Sequence, residues 1–150
     1  FLSEKYPIVI SLYNDTPLIF IHTVKPNYLS SRGIIDKEQI HRLGEIIQSL
    51  DKPAIICGHY PVLHHTKEYN SSYSRQLKNA NLLREVLVQT KVPILYVAGH
   101  VHHYSLSQDE KNPFLTYLCS PPLFYTRARK GGFSEITLEN KNFNIKFNSI

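Results

Sequence analysis

Three histidines carry the chemistry this sequence offers. His59 stands in Gly58-His59-Tyr60-Pro61, and His100 and His102 stand in Gly99-His100-Val101-His102. Imidazole is the commonest protein ligand of metal ions and is largely neutral near physiological pH. Each Gly-His follows a short apolar run: residues 53–57 (PAIIC) before the first, residues 92–98 (VPILYVA) before the second. Such runs, closed by a turn residue, read as buried strands. Gly99 is expected to free the backbone where its strand stops. Ligands of open α/β sheets collect at the carboxyl edge, so the expected chemistry is metal coordination at two strand tips. A backbone that stays extended past Gly99 aims His100 and His102 to the same side. His103 then points away and is left outside the set. For an isolated Gly-His, a hydrogen-bonded turn is the better reading; two such tips on neighbouring strands favour a metal.

A strand–helix–strand unit must position these tips. Between the two apolar runs, residues 75–89 carry Leu82, Leu83, Val86 and Leu87 on one side of a helix. A crossover of this kind makes the flanking strands parallel and is right-handed, which brings both Gly-His tips to one sheet edge. Upstream, residues 6–13 and 18–24 are rich in β-branched and aromatic side chains. Asn14-Asp15-Thr16-Pro17 between them is a turn signal, so the pair reads as a hairpin. His22, inside the second run, reads as a packing residue. Asp36 reads as the N-cap of a helix over residues 36–50, with Gln39 as capping-box partner. Ile40, Leu43, Ile46, Ile47 and Leu50 form its apolar stripe, and His41 falls on the exposed side. Residues 62–74, with His64 and His65, read as a polar loop. Past His103, residues 114–119, 133–138 and 143–147 read as strands, the last two joined by a turn at Glu139-Asn140-Lys141-Asn142. No internal repeat or domain boundary is visible, so residues 1–150 read as part of one domain.

Composition narrows the classes. No apolar run approaches the ~20 residues that span a bilayer, so no membrane partner is expected. The net charge is +5, but the basic residues are scattered apart from Arg127-Ala128-Arg129-Lys130. A nucleic-acid binder shows a longer basic stripe, so no specific nucleic-acid partner is expected; the preferred reading is a solvated basic surface, though a mild positive field would also suit an anionic substrate such as a phosphoester. Cys57 and Cys119 make no disulfide framework and read as free thiols ending strands, a bridge between them staying open. The chain begins with Phe1 and contains no methionine, so it is expected to lack its natural start.

Gly58-His59 and Gly99-His100-Val101-His102 resemble the two C-terminal signature motifs of the calcineurin-like metallophosphoesterases. The resemblance covers most of the chain: the hairpin, Gly33-Ile34-Ile35-Asp36 leading into a helix, the His-Tyr-Pro tip and the closing strands follow the family's order. It implies an α/β fold, a four-layer αββα sandwich of mixed sheets with flanking helices, of which this chain is the carboxyl-terminal part. It also implies a binuclear centre of Mn, Fe or Zn, with His59 and His100 on one ion and His102 on the other. Such ions polarise a phosphoryl group and supply a hydroxide nucleophile. The implied activity is hydrolysis of phosphoesters, as a phosphatase or phosphodiesterase.

The family's Asp-x-His, Gly-Asp and Gly-Asn-His motifs do not occur here. Asp15, Asp36 and Asp51 sit in turns or at a helix cap, and three neutral imidazoles poorly compensate two divalent cations. The amino-terminal half is therefore expected to be absent. This polypeptide by itself is expected to hold at most one ion, weakly, and to be inactive. An open strand edge would favour self-association or pairing with the missing half. The rivals are a catalytically inactive binding or regulatory protein on the same fold, and a domain whose histidines only satisfy hydrogen bonds. Tyr60 and Tyr104 flank the tips and are candidates for shaping the pocket or touching substrate, against plain packing. Arg127, with Arg129 and Lys130, is a candidate for bidentate phosphate contact, against a solvated loop.

Overall fold

The computed structural model describes residues 5–12, 15–24, 32–62, 76–124 and 131–150. They form a six-stranded mixed sheet, two helices and a separate hairpin. In chain order the elements are β1 (Ile8–Ser11), β2 (Pro17–Phe20), α1 (Lys37–Ser49), β3 (Ala54–Cys57), α2 (Ala80–Leu87), β4 (Ile94–Ala98), β5 (Ser105–Gln108), β6 (Leu115–Cys119), β7 (Gly132–Glu139) and β8 (Asn142–Ser149). The large sheet runs β1-β2-β3-β4-β6-β5. Its four central strands are mutually parallel and its two edge strands antiparallel.

The parallel centre follows from the apolar runs. β4 lies between β3 and β6, and four of its five residues are buried, as a strand covered on both faces must be. One face carries a row of paired residues, Ile19, Ile56, Tyr96 and Tyr117, one from each central strand. α1 and α2 pack on this row through Ile40, Leu43 and Ile47 and through Ala80, Leu83 and Leu87. On the far side of the sheet, β7 and β8 pair Ile136 with Ile145 and Leu138 with Phe143. Ile136, Leu138 and Phe143 face Leu12 and Ile55 across a space of about 640 Å³. The β7–β8 turn has Asn140 and Lys141 at φ of 49° and 65°, the backbone of a two-residue hairpin turn that matches strand twist.

Local expectations fared unevenly. The hairpin, both helices, the strand–helix–strand unit and the closing strands form. Asp36 caps α1, accepting the Glu38 N–H at 3.0 Å. Gln39 does not close a capping box: it is 1% exposed, and its amide brackets His22, accepting from the backbone N at 2.6 Å and donating to the carbonyl at 3.0 Å. Tertiary burial overrode the local motif. The second helix is shorter than residues 75–89, and Leu82 is 41% exposed rather than packed with Leu83 and Leu87. β5, Ser-Leu-Ser-Gln, was not anticipated because a polar edge strand carries no apolar signal. Both cysteines are free; β4 separates their strands. His22 stacks on Tyr6, ring centroids 5.4 Å apart, in the packing role expected of it. His64, His65, Arg127, Arg129 and Lys130 lie outside the described residues.

Candidate metal centre

β3 and β4 pair in parallel with Cys57 opposite Val97, and the ladder continues past both strand ends. The Gly58 N–H donates to the Val97 carbonyl at 3.0 Å, and the Gly99 N–H donates to the His59 carbonyl at 3.2 Å. These two bonds zip the tips together. The His59 Nε2 and His100 Nδ1 atoms come within 2.9 Å, with ring centroids 4.8 Å apart and planes at 70°. Topology thus joins two residues that are remote in sequence.

The two glycines serve differently. A Cβ on residue 58 would fall 2.5 Å from the Tyr96 hydroxyl, which itself donates to the Tyr60 carbonyl at 2.8 Å. Only glycine leaves room there. A Cβ on residue 99 meets nothing within 4 Å, and no glycine among the described residues has positive φ. Gly99 is expected to free the backbone, yet the left-handed conformation at this tip falls on His100 at 63° and His102 at 55°. That conformation costs a side-chain-bearing residue about 1–2 kcal/mol.

The expectation of an extended Gly-His-x-His is therefore corrected. The Val101 N–H bonds back to the Gly99 carbonyl at 2.7 Å, closing a three-residue turn around His100. Val101 is wholly buried against Cys119, and the Cys119 thiol donates to the same Gly99 carbonyl at 3.2 Å. Burial pushes that thiol up to about 12, against weaker opposing contacts from the Val101 and His103 backbone. Burial raises the Cys57 thiol as well. With Val101 as its buried anchor, the turn leaves His102 exposed. Among the described residues, no group of three or more His, Cys, Asp or Glu is arranged around one point. His59 and His100 form a pair rather than a triad with His102.

The pair suits one cation. Two nitrogens each about 2.0–2.1 Å from an ion, at tetrahedral or right angles, stand about 2.8–3.4 Å apart, which brackets the observed 2.9 Å. In the hydrogen-bonded pair one ring donates to the other. To offer both lone pairs to a cation, the donor ring must carry its proton on its other nitrogen. Burial, and then the nearby His102, lower the pKa of His59, favouring the neutral ring a metal requires.

Tyr60 forms the wall of the site. It is 4% exposed, its ring centroid lies 4.0 Å from that of His100, and its hydroxyl bonds to the Gly33 backbone. Tyr104 stacks on Phe147 of β8 at 4.5 Å. Sequence reasoning passed over Thr23, whose hydroxyl accepts the N–H groups of His59 at 3.0 Å and Tyr60 at 3.2 Å. A threonine inside a β-branched run gives no signal of that role.

The fold is a mixed α/β architecture built on a six-stranded sheet. It aligns with a dimetal phosphatase from Danio rerio at a TM-score of 0.64 and 16% identity, over 78% of this chain and 36% of that chain. A 5'-nucleotidase from Candida albicans aligns at a TM-score of 0.48 and 16% identity, over 93% of this chain and 26% of that chain. No family model matches the sequence, and no curated protein matches it. The chain spans little more than a third of the length of the phosphatase it resembles.

Proposed function

We propose that this chain is the histidine-bearing part of a metal-dependent phosphoesterase, a phosphatase or phosphodiesterase. His59 and His100 would hold one divalent ion, and His102 would serve a second ion completed by residues outside this chain. The observation that carries this reading is the 2.9 Å approach of the His59 and His100 nitrogens at the carboxyl edge of parallel strands. It is supported by a fold shared with a dimetal phosphatase. A bound divalent ion, Mn, Fe or Zn, would polarise a phosphoryl oxygen and lower the pKa of bound water. The chain's own contribution is orientation. The zipped tips fix the ring spacing, Tyr60 backs His100, and the exposed His102 lies on the solvent side. The substrate is a phosphoester anion, which the net charge of +5 would attract.

Titrating Co²⁺ or Zn²⁺ into the 150-residue chain tests this reading. We expect one weak site that is lost in His59→Ala and in His100→Ala, with little hydrolysis of a chromogenic phosphoester. In a longer chain carrying the remaining ligands, either substitution should cut turnover at least about a hundredfold, beyond the effect of outer-sphere changes. Metal binding that ignores both substitutions would overturn the ligand assignment. A longer chain that binds ions but never turns over would favour the inactive regulatory alternative.

A further inference from the structure

Thr23 lies just past the end of β2, where the chain runs alongside the first histidine tip. It is 1% exposed. Its hydroxyl oxygen accepts two consecutive N–H groups, from His59 at 3.0 Å and Tyr60 at 3.2 Å, which fills both lone pairs. Its methyl group stands 3.2 Å from where a Cβ on residue 58 would fall, beside the Tyr96 hydroxyl at 2.5 Å. One side chain thus touches all three residues of the Gly58-His59-Tyr60 tip.

The segment carrying Thr23 is itself anchored by hydrogen bonds. Gln39 of α1 brackets the backbone of His22 with two hydrogen bonds, and the Ile21 N–H donates to the Cys57 carbonyl at 2.9 Å. A path of short contacts therefore runs from α1 through His22 and Thr23 to the backbone of His59, and from its ring to His100.

We propose that Thr23 is the positioning residue of the His59–His100 pair. Its hydroxyl fixes the backbone of residues 59 and 60 and so sets the direction in which the His59 imidazole leaves the strand tip. The link to metal binding rests on the function proposed above; the link to imidazole geometry does not. Serine keeps the oxygen. Valine keeps the shape and removes it, leaving two N–H groups without their acceptor, one of them on the buried Tyr60.

The test compares Thr23→Val, Thr23→Ser and a remote destabilised control, Leu87→Ala, in the 150-residue chain. Amide hydrogen exchange, imidazole nitrogen shifts and Co²⁺ affinity by absorption are measured for each. Thr23→Val should speed exchange at His59 and Tyr60 at least about tenfold, shift the imidazole resonances of His59 and His100, and weaken Co²⁺ binding by about tenfold, as loss of an outer-sphere partner does. Thr23→Ser should restore all three. Leu87→Ala should move none of them at temperatures where it stays folded. Thr23→Ala replaces the valine variant if that chain does not fold. Parental exchange and imidazole shifts in the hydroxyl-less variant would overturn the proposal, as would the same changes in Leu87→Ala. If Co²⁺ binds none of the chains, the metal reading fails while the exchange and imidazole measurements still decide the role of Thr23.

Discussion

The two ends of the parallel strands are built on opposite terms. At the amino end, polar groups are buried and satisfied. Asp109 is 4% exposed and accepts two bonds from Arg84, at 2.8 and 2.9 Å. It also accepts the Tyr117 hydroxyl at 2.8 Å and the Lys111 N–H at 2.8 Å. Nearby, the Asn112 amide donates at 2.9 Å to the carbonyls of Val88 and Thr90, just past α2. At the carboxyl end, two histidines adopt left-handed backbone and imidazoles meet each other at the surface. One end holds the fold; the other carries strain. Strained backbone persists only where its surroundings over-determine it, and it clusters at functional sites.

The largest way to break this contrast is at the amino end. Asp109→Ala leaves the partly buried Arg84 without its partner and should cost about 3–5 kcal/mol, read by chemical denaturation. Acid tests the same group. Burial alone would raise the Asp109 pKa, but the Arg84 guanidinium, the Lys111 N–H and the Tyr117 hydroxyl outweigh it and hold the carboxyl at about 2. The folded value lies below the unfolded value of about 3.9. The stabilisation is therefore complete above that unfolded value and is lost as pH falls through the folded one. Asp109→Asn should flatten this part of the acid-denaturation curve. An unchanged curve would show that the cluster contributes little.

Next in size is Gly58→Ala at the carboxyl end. The new methyl would sit 2.5 Å from the Tyr96 hydroxyl, which cannot swing away without releasing the Tyr60 carbonyl. Overpacking of this kind costs about 1–3 kcal/mol. Tyr96→Phe removes the clashing oxygen, so the double variant should be less destabilised than the sum of the singles. Strict additivity would mean that the close approach to Tyr96 is not what requires glycine at this position.

Much of this was legible in the sequence where burial and local chemistry agree. The apolar runs before Gly58 and Gly99 became β3 and β4, and the helical stripe between them became α2, so the meeting of His59 and His100 could be derived from topology. Asp36 capped its helix because that bond is local. What escaped was decided by tertiary contacts. Gln39 and Thr23 are polar residues whose partners lie across the chain, at His22 and at residues 59–60. The left-handed turn at His100 has no glycine or asparagine to announce it. It is held by the burial of Val101 against Cys119, and Gly99, the residue that seemed to permit it, contributes no special conformation.

That last point gives the smallest and most discriminating comparison. Gly99→Ala places a methyl in open space on an ordinary backbone, so its cost should stay within about 0.5 kcal/mol, the range of neutral surface changes. His102→Gly relieves a backbone held at φ of 55° and should stabilise the chain by about 1 kcal/mol. One variant adds a side chain and the other removes one, and the expected order inverts what the Gly-His-x-His pattern suggests. If Gly99→Ala is costly and His102→Gly is neutral, the turn takes its shape from Gly99 after all. If the expected order holds, His102 is kept in a conformation that works against stability, as strained backbone at functional sites is.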